Sequence, residues 1–150
     1  MSETTDFLKS IEMFIGLSDE ELAKVADLCQ PASFEAGSLI LEKSSPADKV
    51  YLIQEGTVEI ITDPEALEAK PSLADALIVT LGRGQSFGEM GLVDSGVRSA
   101  TVRAGTLTRV MTMACEEFRE LCEQDNHLGY MVMRNIAADL SFKLRYRNLI

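Results

Sequence analysis

Residues 82–104 read Gly82-Arg-Gly-Gln-Ser-Phe87-Gly-Glu-Met-Gly-Leu92-Val-Asp-Ser-Gly-Val-Arg98-Ser-Ala-Thr-Val102-Arg-Ala104. Glycines stand at 82, 84, 88, 91 and 96, the carboxylate Glu89 follows a glycine, and Arg98 precedes the small pair Ser99-Ala100 at the entry to a strand. A dinucleotide fingerprint fails here. Gly82-x-Gly84 followed by Gly88 has the wrong final spacing, lies among strand signals and opens no long helix. The lysine of a triphosphate-binding P-loop is absent from the stretch. An anion cradle fits better. Glycines let backbone N–H groups approach an anion closely, and a short helix from Gly88 to Leu92 would aim its first amides into a pocket. Arg98 supplies a forked cation for phosphate oxygens. Glu89 would repel a phosphate, but it makes a strong charge-assisted bond to a ribose hydroxyl. The two together describe a ligand with a phosphate and a sugar hydroxyl.

Outward from this stretch, residues 31–114 carry strand signals. Ser38-Leu-Ile-Leu41 follows Gly37, and Val50-Tyr-Leu-Ile53 and Val58-Glu-Ile-Ile61 flank Glu55-Gly56 as in a hairpin. Leu77-Ile-Val-Thr-Leu81 is another strand, and Thr101-Val-Arg103 and Leu107–Met113 bracket a turn at Ala104-Gly105. Short strands at this spacing predict a sandwich or barrel rather than alternating βαβ units. Residues 63–75 are too polar for a strand and predict an exposed excursion.

Helices flank the strands. Phe7, Leu8, Ile11 and Phe14 have helical spacing over residues 4–14, and Ser18-Asp-Glu-Glu21 is a capping box opening a helix that runs to about Cys29. A short helix over Glu116–Glu123 precedes a long one over residues 126–147, where Leu128, Val132, Ile136, Leu140 and Leu144 recur every fourth residue. Tyr130, Met133 and Ala137 widen that apolar face enough to meet a second subunit, which predicts a homodimer through residues 126–147. The fold class is therefore mainly β with flanking helices, in one domain over residues 1–150: N-terminal helices in 1–30, a β-roll in 31–114 with a cassette at 87–102, and C-terminal helices in 115–150.

Bulk composition narrows the function. The 150 residues are 46% hydrophobic and 25% charged, with net charge −10, which argues against nucleic acid as a partner. No apolar run reaches membrane-spanning length and the acidic N-terminus is unlike a secretion signal, so no membrane partner and a cytoplasmic location are expected. Cys29, Cys115 and Cys122 form neither a disulfide framework nor a zinc pattern and read as buried small hydrophobes, Cys115 and Cys122 on one helix face. His127 is the only histidine, too few for a triad, a metal cluster or haem ligation, and it reads as a surface residue at a helix start. An enzyme is not expected. Arg83 and Arg103 read as exposed, Met111 and Met113 as sharing one strand face, and Tyr51 as packed within the roll.

The paired blocks Phe87–Leu92 and Arg98–Val102 resemble the phosphate-binding cassette of cyclic-nucleotide-binding domains, as in bacterial catabolite activator proteins, regulatory subunits of cyclic-AMP-dependent kinase and cyclic-nucleotide-gated channels. The resemblance extends over nearly the whole chain, through Phe14–Leu22, Ala47–Val58 and Phe118–Leu121. It implies a jelly-roll-like β-barrel whose C-terminal helix moves on ligand binding. It implies that Glu89 holds the ribose 2′-hydroxyl, that Arg98 holds the cyclic phosphate, and that Gly88, Met90, Ser99 and Ala100 complete the cradle beside Phe87. Counted without gaps, the helix positions that would reach the purine are Asp139, Lys143 and Leu144. These are not the hydroxyl-rich set of the catabolite activators. Asp139 would either repel Glu89 or accept from a purine amino group. Many cyclic-GMP modules carry threonine at the place of Ser99, so cyclic AMP (cAMP) is favoured over cyclic GMP (cGMP). No cofactor is implied beyond that ligand. No helix-turn-helix follows the long helix, which predicts a standalone module with an effector protein unknown. The alternative is a scaffold of the same fold that binds another ligand or none and dimerises through the C-terminal helix.

Overall fold

Four consecutive residues of strand β3 (Lys49–Glu55), Val50, Tyr51, Leu52 and Ile53, are all buried. A strand covered on both faces needs a layer on each side. Val50 and Leu52 join the core formed with the helices, whereas Tyr51 and Ile53 join a second core between two sheets. The protein is therefore layered: helices, one sheet, then another sheet. A computed structural model describes residues 2–61, 77–94, 96 and 100–146, with the backbone alone at 77 and 78. The expected excursion at 63–75 lies outside the described residues.

The sheet next to the helices holds β1 (Gln30–Phe34), β8 (Thr108–Ala114), β3 and β6 (Ser86–Phe87) in the order β1-β8-β3-β6. The outer sheet holds β2 (Leu39–Leu41), β7 (Thr101–Ala104), β4 (Val58–Ile61) and β5 (Leu77–Leu81) in the order β2-β7-β4-β5. The pairings within both are antiparallel. Leu41, Val58 and Val102 of the outer sheet meet Ile53, Phe87 and Val110 of the inner one. Mainly β with flanking helices is what the sequence predicts, but the jelly-roll-like barrel takes the form of two facing sheets. Among the described residues no ladder joins one to the other.

The predicted hairpin at Glu55-Gly56 is a crossing instead. β3 pairs with β8 and β6, while β4 pairs with β7 and β5, so the turn carries the chain from one sheet to the other. Gly56 makes this possible at φ +90°, where a Cβ would overlap the Leu107 carbonyl oxygen. The turn at Gly105 crosses back in the same way, from β7 to β8. Pro31 sits in β1, an edge strand, where its missing N–H disrupts no central ladder.

Helix α1 (Glu3–Leu8) is shorter than the predicted 4–14. Ser10 and Ile11 N–H bond to the Phe7 and Leu8 carbonyls, the chain tightens, and a 3₁₀ turn follows at Glu12–Phe14. Helix α2 (Asp19–Ala26) has the predicted capping box: the Ser18 hydroxyl accepts from Glu21 N–H at 3.2 Å and the Glu21 carboxylate accepts from Ser18 N–H at 2.8 Å. Helix α3 (Cys115–Gln124) leads through Asp125, which accepts the Leu128 N–H at 3.1 Å, into helix α4 (Asn126–Tyr146). The every-fourth stripe Leu128, Val132, Ile136 is buried, with Met133 and Leu140 packed alongside. Met111 and Met113 share the helix-facing core, as their alternation predicts. Asn135 of α4 donates to the Met13 and Ile15 carbonyls, each at 2.9 Å, and so ties the long helix to the N-terminal 3₁₀ turn. No helix among the described residues is long and apolar enough to cross a membrane.

Candidate functional site

The cassette begins where β6 ends. Phe87 is buried and stacks on Tyr51 of the neighbouring strand, ring centres 4.8 Å apart and planes 3° off parallel. That stack fixes the exit of the strand. Gly88 then turns the chain at φ +83°, a left-handed conformation that favours glycine, and caps the 3₁₀ turn Glu89–Leu92. Gly91 is buried for a different reason: a Cβ there would lie 2.7 Å from the Ala47 carbonyl oxygen and 3.0 Å from Cys115 Sγ. On the same side, Arg119 of α3 donates to the Gly91 carbonyl at 2.6 Å.

The turn, Gly91 and Ala47 included, borders a cleft of about 710 Å³. Gly88, Glu89 and Met90 line one flank. Leu41, Ile60, Leu81 and Val102 of the outer sheet give an apolar wall, with Ala100 at the entry to β7. Asp139, Leu140, Lys143 and Leu144 of α4 line it as well. Of the site residues expected from sequence, Phe87, Gly88, Glu89, Met90, Ala100, Asp139 and Lys143 thus come together on one cleft. Arg98 and Ser99 lie outside the described residues.

Charge is unevenly distributed. Glu12, Glu89, Asp94 and Asp139 line the cleft, and Lys143 is the cation among the described lining residues. The Oε2 atom of Glu89 is buried. Lys143 Nζ lies 2.9 Å from Asp139 Oδ2, one helical turn away, with both side chains in partial contact with solvent. A pair this exposed stabilises by well under about 1 kcal/mol and opens easily. Asp139 is therefore matched by Lys143. Arg83 donates to the Gln54 carbonyl at 2.6 Å, and Arg103 pairs with Glu59 across the β4–β7 ladder at 3.2 Å, so both are engaged away from the cleft.

The three cysteines are unbridged. Burial pushes the Cys29 thiol up to about 12, and burial with the nearby Asp125 and Glu123 carboxylates pushes Cys122 up to about 11. Neither is a thiolate at neutral pH, so neither is activated as a nucleophile. His127 is exposed at the start of α4, its Nδ1 2.8 Å from Glu21 Oε2. No cluster of three or more His, Cys, Asp or Glu placed to hold a metal ion occurs among the described residues. Sequence reasoning missed Arg119 and the apolar wall. The wall residues are inward positions of alternating strands, which was legible; the partner of Arg119 is a backbone carbonyl, which was not.

A family model described as Cyclic nucleotide-binding domain matches residues 31–125. Glutaminase 1 of Bradyrhizobium diazoefficiens is 30% identical over 146 residues, 97% of this chain and 22% of the glutaminase. A cAMP-dependent protein kinase regulatory subunit of Schizosaccharomyces pombe is 28% identical over 114 residues, 76% of this chain and 25% of the subunit. The chain thus spans about a quarter of the length of these curated relatives. A solved protein from Geobacter metallireducens superposes with a TM-score of 0.77 at 27% identity, over 96% of this chain and 99% of that one.

Proposed function

The chain belongs to the cyclic nucleotide-binding domain family, and on that premise we propose that residues 1–150 act as one sensor domain whose cleft binds a cyclic nucleotide, cAMP ahead of cGMP. The observation that carries this reading is the meeting of the glycine-hinged Glu89–Leu92 turn and the Asp139–Leu144 end of α4 on one cleft of about 710 Å³. That volume lies within the ~300–1,000 Å³ of ordinary small-ligand pockets. Glu89 accepts from the ribose 2′-hydroxyl. Arg98 neutralises the cyclic phosphate, with the Gly88 and Met90 amides, Ser99 and Ala100 around it. Asp139 and Lys143 approach the purine, and separation of their surface pair frees an acceptor and a donor for it. The cAMP preference is supported by Ser99; a cGMP-dependent protein kinase and a cAMP-dependent kinase regulatory subunit match at similar identity, 29% and 28%. The family is regulatory rather than catalytic, although the domain also occurs within an enzyme such as the glutaminase relative.

Occupancy is relayed by α4. A ligand shifts the helix only by as much as it prefers one helix position over another. Calorimetry with cAMP on the wild type and on Arg98→Ala tests the site. Losing one side of a desolvated charge pair costs about 2–5 kcal/mol, so affinity falls at least about 30-fold with the melting temperature retained. Unchanged affinity in Arg98→Ala overturns the assignment. Absence of binding by the wild type overturns the sensor reading in favour of a scaffold.

The helix also supports homodimerisation through residues 126–147. Tyr130, Phe142 and Tyr146 are 62%, 66% and 79% exposed, and the last two stack on each other 5.9 Å apart. Phe142 and Tyr146 lie one turn apart on one side of the helix, with Tyr130 about 120° round from Phe142, and exposed large aromatics of this kind are typical interface anchors. Light scattering should give a molar mass that rises with concentration towards twice the chain mass; a constant monomer mass removes this reading.

A further inference from the structure

Resting on the cyclic-nucleotide reading above, we propose that Arg119 is a positioning residue for the cleft: it anchors the Glu89–Leu92 turn at the Gly91 carbonyl so that Gly88, Glu89 and Met90 are presented to the ligand. A four-residue 3₁₀ turn has little rigidity of its own. Among its bonds, Gly91 N–H donates to the Gly88 carbonyl at 3.2 Å, and Val93 and Asp94 N–H both donate to the Met90 carbonyl at 3.1 Å. The carbonyls at its far end point beyond the turn and need outside donors. Arg119 provides one to Gly91 at 2.6 Å, a short, charge-assisted bond.

Two contacts on one face of α3 meet at Gly91. Arg119 reaches its carbonyl, and Cys115, one helical turn earlier, lies 3.0 Å from where a Cβ would stand. Gly91 is thus pressed on α3 with no side chain between them, and it lines the cleft together with Gly88, Glu89 and Met90. α3 in turn is packed closely on α4, since a Cβ at Gly129 would lie 2.5 Å from the Cys122 carbonyl oxygen. The same helix pair therefore holds the ligand-facing turn at Gly91 and, through Asp139–Leu144, supplies another part of the cleft lining. Arg119 is a polar link through which the position of the turn depends on that pair.

The test uses the full chain with Arg119→Met, which keeps the apolar stem, and Arg119→Lys, which restores one charged donor. Without ligand, amide hydrogen exchange at Gly91, Val93 and Asp94 should quicken about tenfold in Arg119→Met and recover in Arg119→Lys, while Val132 and Ile136 in α4 stay as protected as before. Calorimetric affinity for cAMP should fall about tenfold in Arg119→Met, less in Arg119→Lys, and the loss should be less than additive with Glu89→Gln because both act through one turn. Unchanged exchange in the turn overturns the proposal, as does a loss of protection that spreads equally to α4 or a loss of affinity that adds fully to that of Glu89→Gln. If the wild type binds no cyclic nucleotide, the function proposed above fails, and the exchange measurement still decides whether Arg119 holds the turn.

Discussion

Replacing Gly91 by alanine adds one methyl group at the point where the cassette is pressed on its support. The new carbon would lie 2.7 Å from the Ala47 carbonyl oxygen, 3.0 Å from Cys115 Sγ and 3.2 Å from Ala47 Cβ. The nearest obstacle is backbone, which cannot rotate aside as a long side chain can. Over-packing of this kind costs about 1–3 kcal/mol. Against it stands the reduced freedom of the unfolded chain, which favours alanine by about 0.4–1 kcal/mol wherever the folded backbone accepts it. Gly91 is not among the positive-φ glycines, so that gain applies in full. The steric effect wins, with a net loss of about 0–2.6 kcal/mol, centred on about 1.3 kcal/mol. For a chain of this length each kcal/mol lowers the melting temperature by about 2–4 °C, so at that central loss scanning calorimetry should record a fall of about 3–5 °C. The turn relieves the clash by moving away from Ala47 and Cys115, which displaces Gly88 and Met90 relative to the cleft, so cAMP affinity should fall as well. A Gly91→Ala protein that melts at or above the wild-type temperature and binds cAMP as tightly would refute the close approach argued here.

Glu21 predicts a particular acid response. Burial opposes its ionisation, but the Ser18 backbone N–H, the His127 ring and the Ser18 hydroxyl outweigh that and hold the carboxyl below its ordinary pKa. A carboxylate with a depressed folded-state pKa contributes stability that is present above its unfolded pKa and is lost as pH falls through the folded one. Thermal stability should therefore decline on acidification below about pH 5, and Glu21→Gln should start about 1 kcal/mol lower at neutral pH and decline less steeply; parallel pH profiles for the two proteins would remove Glu21 from the acid response. Asn135→Ala removes both amide bonds to the Met13 and Ile15 carbonyls and should cost about 1–3 kcal/mol in urea unfolding with an unchanged slope, and an unaltered unfolding midpoint would show that the two carbonyls find other donors.

The elements of this fold were legible because each rests on local chemistry. The Ser18–Glu21 capping box, the strand at Leu77–Leu81 and the every-fourth stripe of α4 are read within a few residues and occur where that reading puts them. The connections between strands were less legible. A run such as Val50–Ile53, a glycine turn and a second apolar run describe equally a hairpin and a strand that leaves one sheet for another. What separates them is which strand arrives from far along the chain, and here β8 lies beside β3, pairing Tyr51 with Thr112. The same long-range choice decides that the roll appears as two facing sheets.

The site divides along the same line, for a sharper physical reason. Gly88 and Glu89 were readable because glycine lets the backbone approach an anion and a carboxylate suits a sugar hydroxyl, whereas Met90 was placed by resemblance to the cyclic-nucleotide-binding cassette. Asp139 and Lys143 were placed by counting without gaps from the resemblance to cyclic-nucleotide-binding domains into the long helix. Arg119 and Asn135 had no such signature. Each donates to carbonyl oxygens of distant residues, Arg119 to Gly91 and Asn135 to Met13 and Ile15. Every residue carries a carbonyl, so no particular residue type at the acceptor position reveals the bond. An arginine with a backbone partner looks, in sequence, like any solvated arginine on a helix. The groups expected to touch the ligand are therefore the legible part of this site, and the groups that hold those in place are the illegible part. For Arg119 the difference lies in one bond of 2.6 Å, which turns an unremarkable surface charge into the residue that joins the cassette to the C-terminal helices.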